Sequence, residues 1–387
     1  MEFLSCISDD NNALHAVDTL IGDIAMRFDG RPDVVFAFFT APHTGNALRL
    51  AERIQEQLEP QALVGCSAEG VLGFDREIER RPAVALLAAR LPGVRAHAFY
   101  CGPDDWPEII PDGDALRQLF TPQANSRVTL AFADPFTTPA IQLLKSVDEN
   151  LPGFPVVGGM SSGGGQPGEN RLILDGSVFP DGLVGLTLSG PLDVQTVVSQ
   201  GCRPVGSTFV ITRGKDNVIE QLGGRPALQV VQEVLVDLNE TEQKLLENGL
   251  FVGRVIDEYR EKFGRGDFLV RGVMRVNQSN GAIAITDYVR TGQTVQFHVR
   301  DAATADEDMT DLLLPQRKDP PAGALLFSCN GRGSRMFEQP SHDIVTSQKV
   351  LPQTPVAGFF AAGEFGPVGG RNFIHGHTAS FAFFRPL

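Results

Sequence analysis

The chain has 387 residues, 42% hydrophobic and 21% charged, a globular composition that excludes disorder as its dominant state. Its 47 acidic against 33 basic side chains give a formal net charge of −14, which repels a phosphate backbone and excludes nucleic acid as a natural partner. At this length, beyond the ~250–300 residues at which one core stops growing, two domains are expected.

In chain order, Met1–Ala16 carries Asp9 and Asp10 and no basic stretch, so it does not read as a signal peptide. The longest apolar runs, such as Val34–Ala41, fall short of the ~20 residues that span a bilayer, so no membrane insertion is expected. Cys6, Cys66, Cys101, Cys202 and Cys329 are odd in number and form no C-x-x-C pair, which suits reduced thiols in a cytoplasmic protein.

Val35–Pro42 and Val128–Pro135 are matching apolar runs stopped by a small polar turn, as buried strands are. Twenty-three residues after each proline come Gly65 and Gly158, each closing a second apolar run. Between them, Leu48, Leu50, Ile54 and Leu58 in one copy and Ile141, Leu143, Leu144 and Val147 in the other are spaced for a helix. Each copy therefore predicts a strand–helix–strand unit with parallel strands. Val84–Leu86 with Val94, and Val184–Leu186 with Val194, predict an antiparallel hairpin after each unit. Pro226–Leu246 is helical in pattern, and Asp267–Val299 reads as successive strands with a turn at Asn280-Gly281. A third, diverged copy follows: Ala324–Cys329, Pro355–Gly358 and Thr378–Phe384. The expected fold class is α/β, two domains with mixed sheets of repeated strand–helix–strand units plus hairpins, helices packed on the sheets, divided as 1–215 and 216–387.

Chemistry is expected at the turns that follow the strands, Thr40–Gly45, Gly65–Gly70, Gly158–Gly165, Cys329–Gly333 and Gly363–Pro367. In open α/β sheets ligands lodge beyond the carboxyl ends of strands, and glycine lets backbone come close to them, although glycine also simply makes tight turns. Gly158–Gly165 lacks the Gly-Lys-Ser/Thr ending of a P-loop and does not read as a nucleotide site. The candidate ligand-binding residues are Cys66, Ser67, Gly159, Ser161, Cys329, Asn330, Gly331, Arg332, Gly363, Glu364, His375, His377 and Thr378. Arg332 offers a planar fork for an anion and Glu364 an acceptor for an ammonium, a pair that suits an amino-acid-like ligand or else a structural ion pair. His375 and His377 would share one strand face, either as ligands of a metal or haem iron with Glu364, or as hydrogen-bonded lining of a cleft. Cys66, Cys329, Ser67 and Ser161 all fall on turns that could expose a nucleophile, and Cys329 with a histidine of the final segment is the alternative reading as a hydrolase or transferase, although no nucleophile elbow is present. Asp306–Asp308 with Asp311 reads as a charged helix start.

Val64–Gly70, Gly158–Ser162 and Asp181–Gly185 resemble the N-terminal domain of the FIST family. Ser199–Pro204, Phe327–Gly333, Ala362–Pro367 and Phe373–Thr378 are similar to the join and the C-terminal FIST domain. The resemblance covers nearly the whole chain. It implies a sensory domain pair that binds small ligands, amino acids among them, and that in many members is fused to an output module. No such module reads before Val34 or after Phe384, so output through a separate partner protein is expected. Similar stand-alone bacterial members are regarded as haem-based nitric oxide sensors acting on a histidine kinase. This chain has seven histidines with none between His97 and His298 and no haem ligand is aligned, so no cofactor is expected, with a haem-based sensor as the alternative reading.

Overall fold

Strands buried on both faces read as unbroken apolar runs, and Val34–Thr40, Ser126–Ala133 and Gly323–Cys329 are buried along most or all of their length. Each leads through a helix (Ala47–Leu58, Ala140–Asn150, His342–Val350) to a second strand parallel to the first (Ala62–Ala68, Val156–Met160, Val356–Ala361). The registers correspond, with Ala37 opposite Gly65, Ala131 opposite Gly158 and Leu326 opposite Gly358. A Cβ on these glycines would lie 1.7, 2.0 and 1.7 Å from the carbonyl oxygen of the residue opposite, so no other residue fits there. The computed structural model describes residues 1–28, 30–260, 262–264 and 266–387.

Each copy is larger than the strand–helix–strand core. A leading strand (Glu2–Ser8, Arg95–Cys101, Leu192–Gln200) and a helix (Ala13–Arg27, Gly113–Phe120, Ala302–Leu313) precede it. A hairpin (Gly70–Gly73 with Arg76–Glu79, Leu172–Leu174 with Ser177–Phe179, Glu364–Val368 with Arg371–His375) and a return strand (Val84–Arg90, Leu183–Ser189, Thr378–Pro386) follow. In the sheets of the three copies the order is leading, return, first and second strand, and the outer edge of the second strand takes a hairpin from another copy. The first copy's hairpin joins the third sheet, the second copy's joins the first, and the third copy's joins the second.

The inner faces of the three sheets share one core, which holds Phe38, Phe132 and Phe327 from the three first strands. Phe132 lies 5.4 Å from Phe38 and 6.0 Å from Phe327 by ring centroid. Helices cover each outer face, with Leu20, Ile24, Leu50 and Ile54 on the first sheet, Leu116, Leu143 and Val147 on the second, and Met309, Leu313, Ile344 and Val350 on the third. Each such side chain contributes ~1.5–3 kcal/mol by burial.

The expected hairpins at Val84–Val94 and Val184–Val194 do not form. The return strand's free edge is already taken by its own leading strand, so the chain crosses to the next sheet instead. The expected single boundary at 215/216 also differs from the observed units, which are 1–198 together with 309–387, and 199–308. The smaller unit interrupts the third copy, running from the end of its leading strand to the first turns of its helix. It is an antiparallel barrel of Cys202–Lys215, Thr294–Arg300, Leu250–Val255, Phe268–Asn277, Ala282–Ile285 and Val218–Leu222, closed by pairing of the last with the first. The helix Ala227–Val236 seats Val230, Val231 and Val234 in the barrel's apolar cluster. The ends of this unit lie together, because Asp308 accepts from Ser199 Oγ (2.9 Å) and from the Gln200 N–H (2.8 Å). Asp306 and Asp308 are interior to the helix Ala302–Leu313, whose start is served instead by Asp301, which accepts from the Ala303 N–H. No helix among the described residues is long and apolar enough to cross a membrane.

Candidate functional site

The strand-end turns of the three copies meet. Ser67 Oγ lies 3.2 Å from Ser161 Oγ. Ser162 Oγ accepts from the Glu69 N–H at 2.9 Å and donates to the Phe360 carbonyl. Met160 N–H donates to the Gly363 carbonyl at 2.8 Å, and Ala362 N–H donates to the Met160 carbonyl at 2.9 Å. Glu364 pairs with Gly159, where a Cβ would fall 2.9 Å from that of Ala361, so this glycine admits the third copy's hairpin.

Several sequence candidates prove to be fastenings. Ser161 donates to the Ser67 carbonyl (2.5 Å), and Asn170 links this pair to Asp134 at 2.9 Å. Cys66 is fully buried in the shared core, and burial pushes its thiol well above the usual range.

Successive strand residues face opposite ways, so Ser328 and Cys329 open onto two different environments. On the Ser328 side, under the helix His342–Val350, lies Arg332, fully buried. Its fork is already spent. Nε donates to Asp343 Oδ2 (2.9 Å) and Nη2 to Asp343 Oδ1 (2.7 Å), while Ser328 Oγ donates to Oδ2 (2.7 Å). Phe337 stacks on His342, and the guanidinium carbon lies 5.1 Å from its ring centroid. Burial alone would raise the Asp343 pKa, but the Arg332 and His342 charges and hydrogen bonds hold it well below the usual carboxylate range. The sequence reading of Arg332 as an open fork, or as the partner of Glu364, is thus corrected. Only Nη1 is left without a hydrogen-bond partner. Glu77 accepts from the Ile344 N–H (2.9 Å), and burial, with Asp343 nearby, pushes its pKa up to about 8.

On the other side, Cys329 Sγ accepts from the Gly331 N–H at 3.4 Å and from the backbone of His377. Burial first, and the adjacent Glu364 second, push the thiol pKa far up. Glu364 is fully buried; its Oε2 accepts both from Thr378 Oγ1 (2.7 Å) and from the Thr378 N–H (3.3 Å), and its Oε1 has no hydrogen-bond partner. Burial pushes this carboxyl up to about 8. Asn330, Gly331 and His377 are half-buried and form the accessible rim. Asn330 N–H donates to the Ala361 carbonyl (2.8 Å), and its own carbonyl accepts from Arg335 (2.6 Å).

The two histidines do not share a strand face. His375 ends its strand and sets Nε2 2.9 Å from the Gly366 carbonyl. His377 lies beyond it in left-handed backbone (φ 62°), with Nδ1 3.1 Å from the Cβ position that Gly331 leaves empty. Among the described residues no group of three or more His, Cys, Asp and Glu is placed to hold a metal ion. The sequence reading missed Asp343, 11 residues beyond Arg332 with no pattern linking them, and Glu77, whose Arg76-Glu77-Ile78-Glu79 setting reads as an exposed strand.

Residues 33–225 match the FIST N domain and residues 227–367 the FIST C domain. The chain belongs to the FIST family. FIST domains are associated with sensory signal transduction. Among FIST relatives, the uncharacterized protein Rv0628c of Mycobacterium tuberculosis is 40% identical over 379 residues, 96% of this chain and 94% of that protein. The uncharacterized protein Mb0898c of Mycobacterium bovis is 40% identical over 363 residues, covering 91% and 90%. The FIST C match contains both Cys329 and Glu364, and the FIST N match contains Gly159 opposite Glu364.

Proposed function

We propose that this FIST protein is a receptor for a small molecule, which enters past Asn330, Gly331 and His377 and settles against Cys329, Glu364 and Thr378. The observation that supports this most is Glu364 Oε1, a fully buried polar atom with no partner. Such an atom costs about 1–3 kcal/mol to leave unsatisfied, and a bound polar group removes that cost. A ligand shifts the protein between conformations only by its difference in affinity for them, and contacts made where strand ends of three sheets meet would differ between arrangements. The output passes to a separate protein such as a histidine kinase. Five buried cysteines, none in a disulfide, suit the cytoplasm. Nucleophilic chemistry at Cys329 is disfavoured because burial and Glu364 keep the thiol protonated.

A thermal-shift screen of amino acids and small organic acids, with an absorbance scan for haem, tests the reading. A ligand at 100 times its Kd stabilises by ~2.7 kcal/mol, a shift of several degrees. The shift is expected to vanish in Glu364→Leu. A panel without effect, or a shift that Glu364→Leu leaves intact, removes this site as the receptor.

A further inference from the structure

Cys329, Glu364 and Thr378 are all buried, so a ligand reaches them only after something moves. Gly331 lies over the thiol. Its N–H donates to Cys329 Sγ at 3.4 Å, and a Cβ on it would fall 3.6 Å from that sulfur and 3.1 Å from His377 Nδ1. The segment 330–335 folds back on itself. Arg332 N–H donates to the Cys329 carbonyl (2.8 Å), Arg335 N–H to the Arg332 carbonyl (3.2 Å), and Arg335 Nη1 to the Asn330 carbonyl (2.6 Å), in the peptide that leads into Gly331. The cover is thus tied to Ser334 and Arg335.

Two holds keep this segment in place. The inner one is Arg332 on Asp343, out of reach of water. The outer one comes from the first copy, whose hairpin strand Arg76–Glu79 brings Glu79 across the segment. Glu79 Oε1 accepts from the Ser334 N–H (2.8 Å) and Oε2 from Ser334 Oγ (2.9 Å), and Arg80 Nη2 donates to the same Oγ (2.6 Å). A Cβ on Gly333, in left-handed backbone (φ 53°), would fall 2.6 Å from Glu79 Oε1, so glycine is what lets the carboxylate sit there. The neighbouring pair of Glu69 with Arg335 is more exposed and adds less. Since the Glu79 side chain is 17% exposed and the Asp343 side chain 1%, the outer hold is the one that water can replace. Gly331 and Gly333 flank Arg332 and can absorb the change in backbone angles.

We propose that the segment 330–335 is a gate over the Cys329–Glu364 site, pivoting on Arg332 and latched by Glu79 of the first copy. The inference takes its site from the receptor reading and adds the regulation of that site, because the apparent affinity of a ligand falls with the fraction of molecules in which the latch is open. The latch belongs to the hairpin that the first copy lends to the third sheet, so whatever displaces that hairpin opens the site.

The gate is tested without knowing the ligand, by the rate at which iodoacetamide alkylates each cysteine of the full folded chain, read by mass spectrometry of its peptides. Cys329 is expected to react through a local opening, so its rate should rise only weakly with urea below the unfolding transition. Cys66, in the shared core, should react only through global unfolding, with the full urea dependence. Glu79→Ala should speed alkylation of Cys329 about tenfold, the worth of a hydrogen bond to a charged acceptor, beyond any change at Cys66. Glu79→Gln, which keeps an acceptor for the Ser334 N–H, should speed it less. Equal urea dependence at Cys329 and Cys66, or a Glu79→Ala rate raised no more at Cys329 than at Cys66, would overturn the gate, while a thermal shift that depends on Glu364 would still leave the receptor reading standing. Local alkylation of Cys329 that no compound of the thermal-shift screen slows would uphold the gate and count against the receptor.

Discussion

Ser328 and Cys329 are neighbours in sequence, yet the two sides of their strand handle buried charge in opposite ways. On the Ser328 side Arg332 meets Asp343 through two short bonds, with Ser328 and His342 filling the carboxylate's remaining valence. On the Cys329 side Glu364 has two donors on one oxygen and nothing on the other. The first matches charge with charge and holds the turn 330–335 against the helix, with only Arg332 Nη1 left over. The second is open, and stays tolerable only as a neutral acid. Burial alone does not separate a satisfied buried charge from an unsatisfied one; the tally of partners does.

The sharpest way to break the comparison is Asp343→Ala, which strands Arg332 in the interior. It should cost ~3–5 kcal/mol and lower Tm by about 10 °C in a thermal melt. A loss below ~1 kcal/mol would show that water reaches the guanidinium and that the two sides are alike. Glu364→Gln should act differently, with little change in stability at pH 6 and a flatter dependence of stability on pH. Glu364 and Glu77, at about 8, hold a proton in the folded state that the unfolded chain releases near ~4.3. Stability should therefore fall as pH rises from ~4.3 to about 8 and level off above it, and Glu364→Gln should remove its share of that fall, as urea unfolding across pH can measure. Least of all, Arg335→Ala deletes an exposed pair with Glu69 and should change stability by ~0.5 kcal/mol or less. A larger effect would mean that this strap helps to hold the turn over Cys329.

The repeat was legible because its signals are local: apolar runs, helical spacing, and a glycine at Gly65, Gly158 and Gly358 where two backbones nearly touch. What lay beyond reach was pairing at long range. Nothing in Gly70–Glu79 announces that this hairpin belongs to the third sheet, since its edge is chosen by vacancy rather than by pattern. The inserted barrel hid the third copy's leading strand for the same reason, by separating it from its partners. That Cys329, Glu364 and Thr378 lie together was legible because strand-end turns were expected to converge. The fate of Arg332 was not, because its partner Asp343 sits in a helix whose sequence gives no sign of an inward charge.

Because each copy lends its hairpin onward and borrows another's, the larger unit is knit as a ring of loans with no first creditor. To loosen one second strand is to bare an edge in its own sheet and to release a hairpin rooted in another copy. Disturbance at the meeting point of the strand tips is therefore shared around the whole circuit, and the three sheets should melt together rather than in turn.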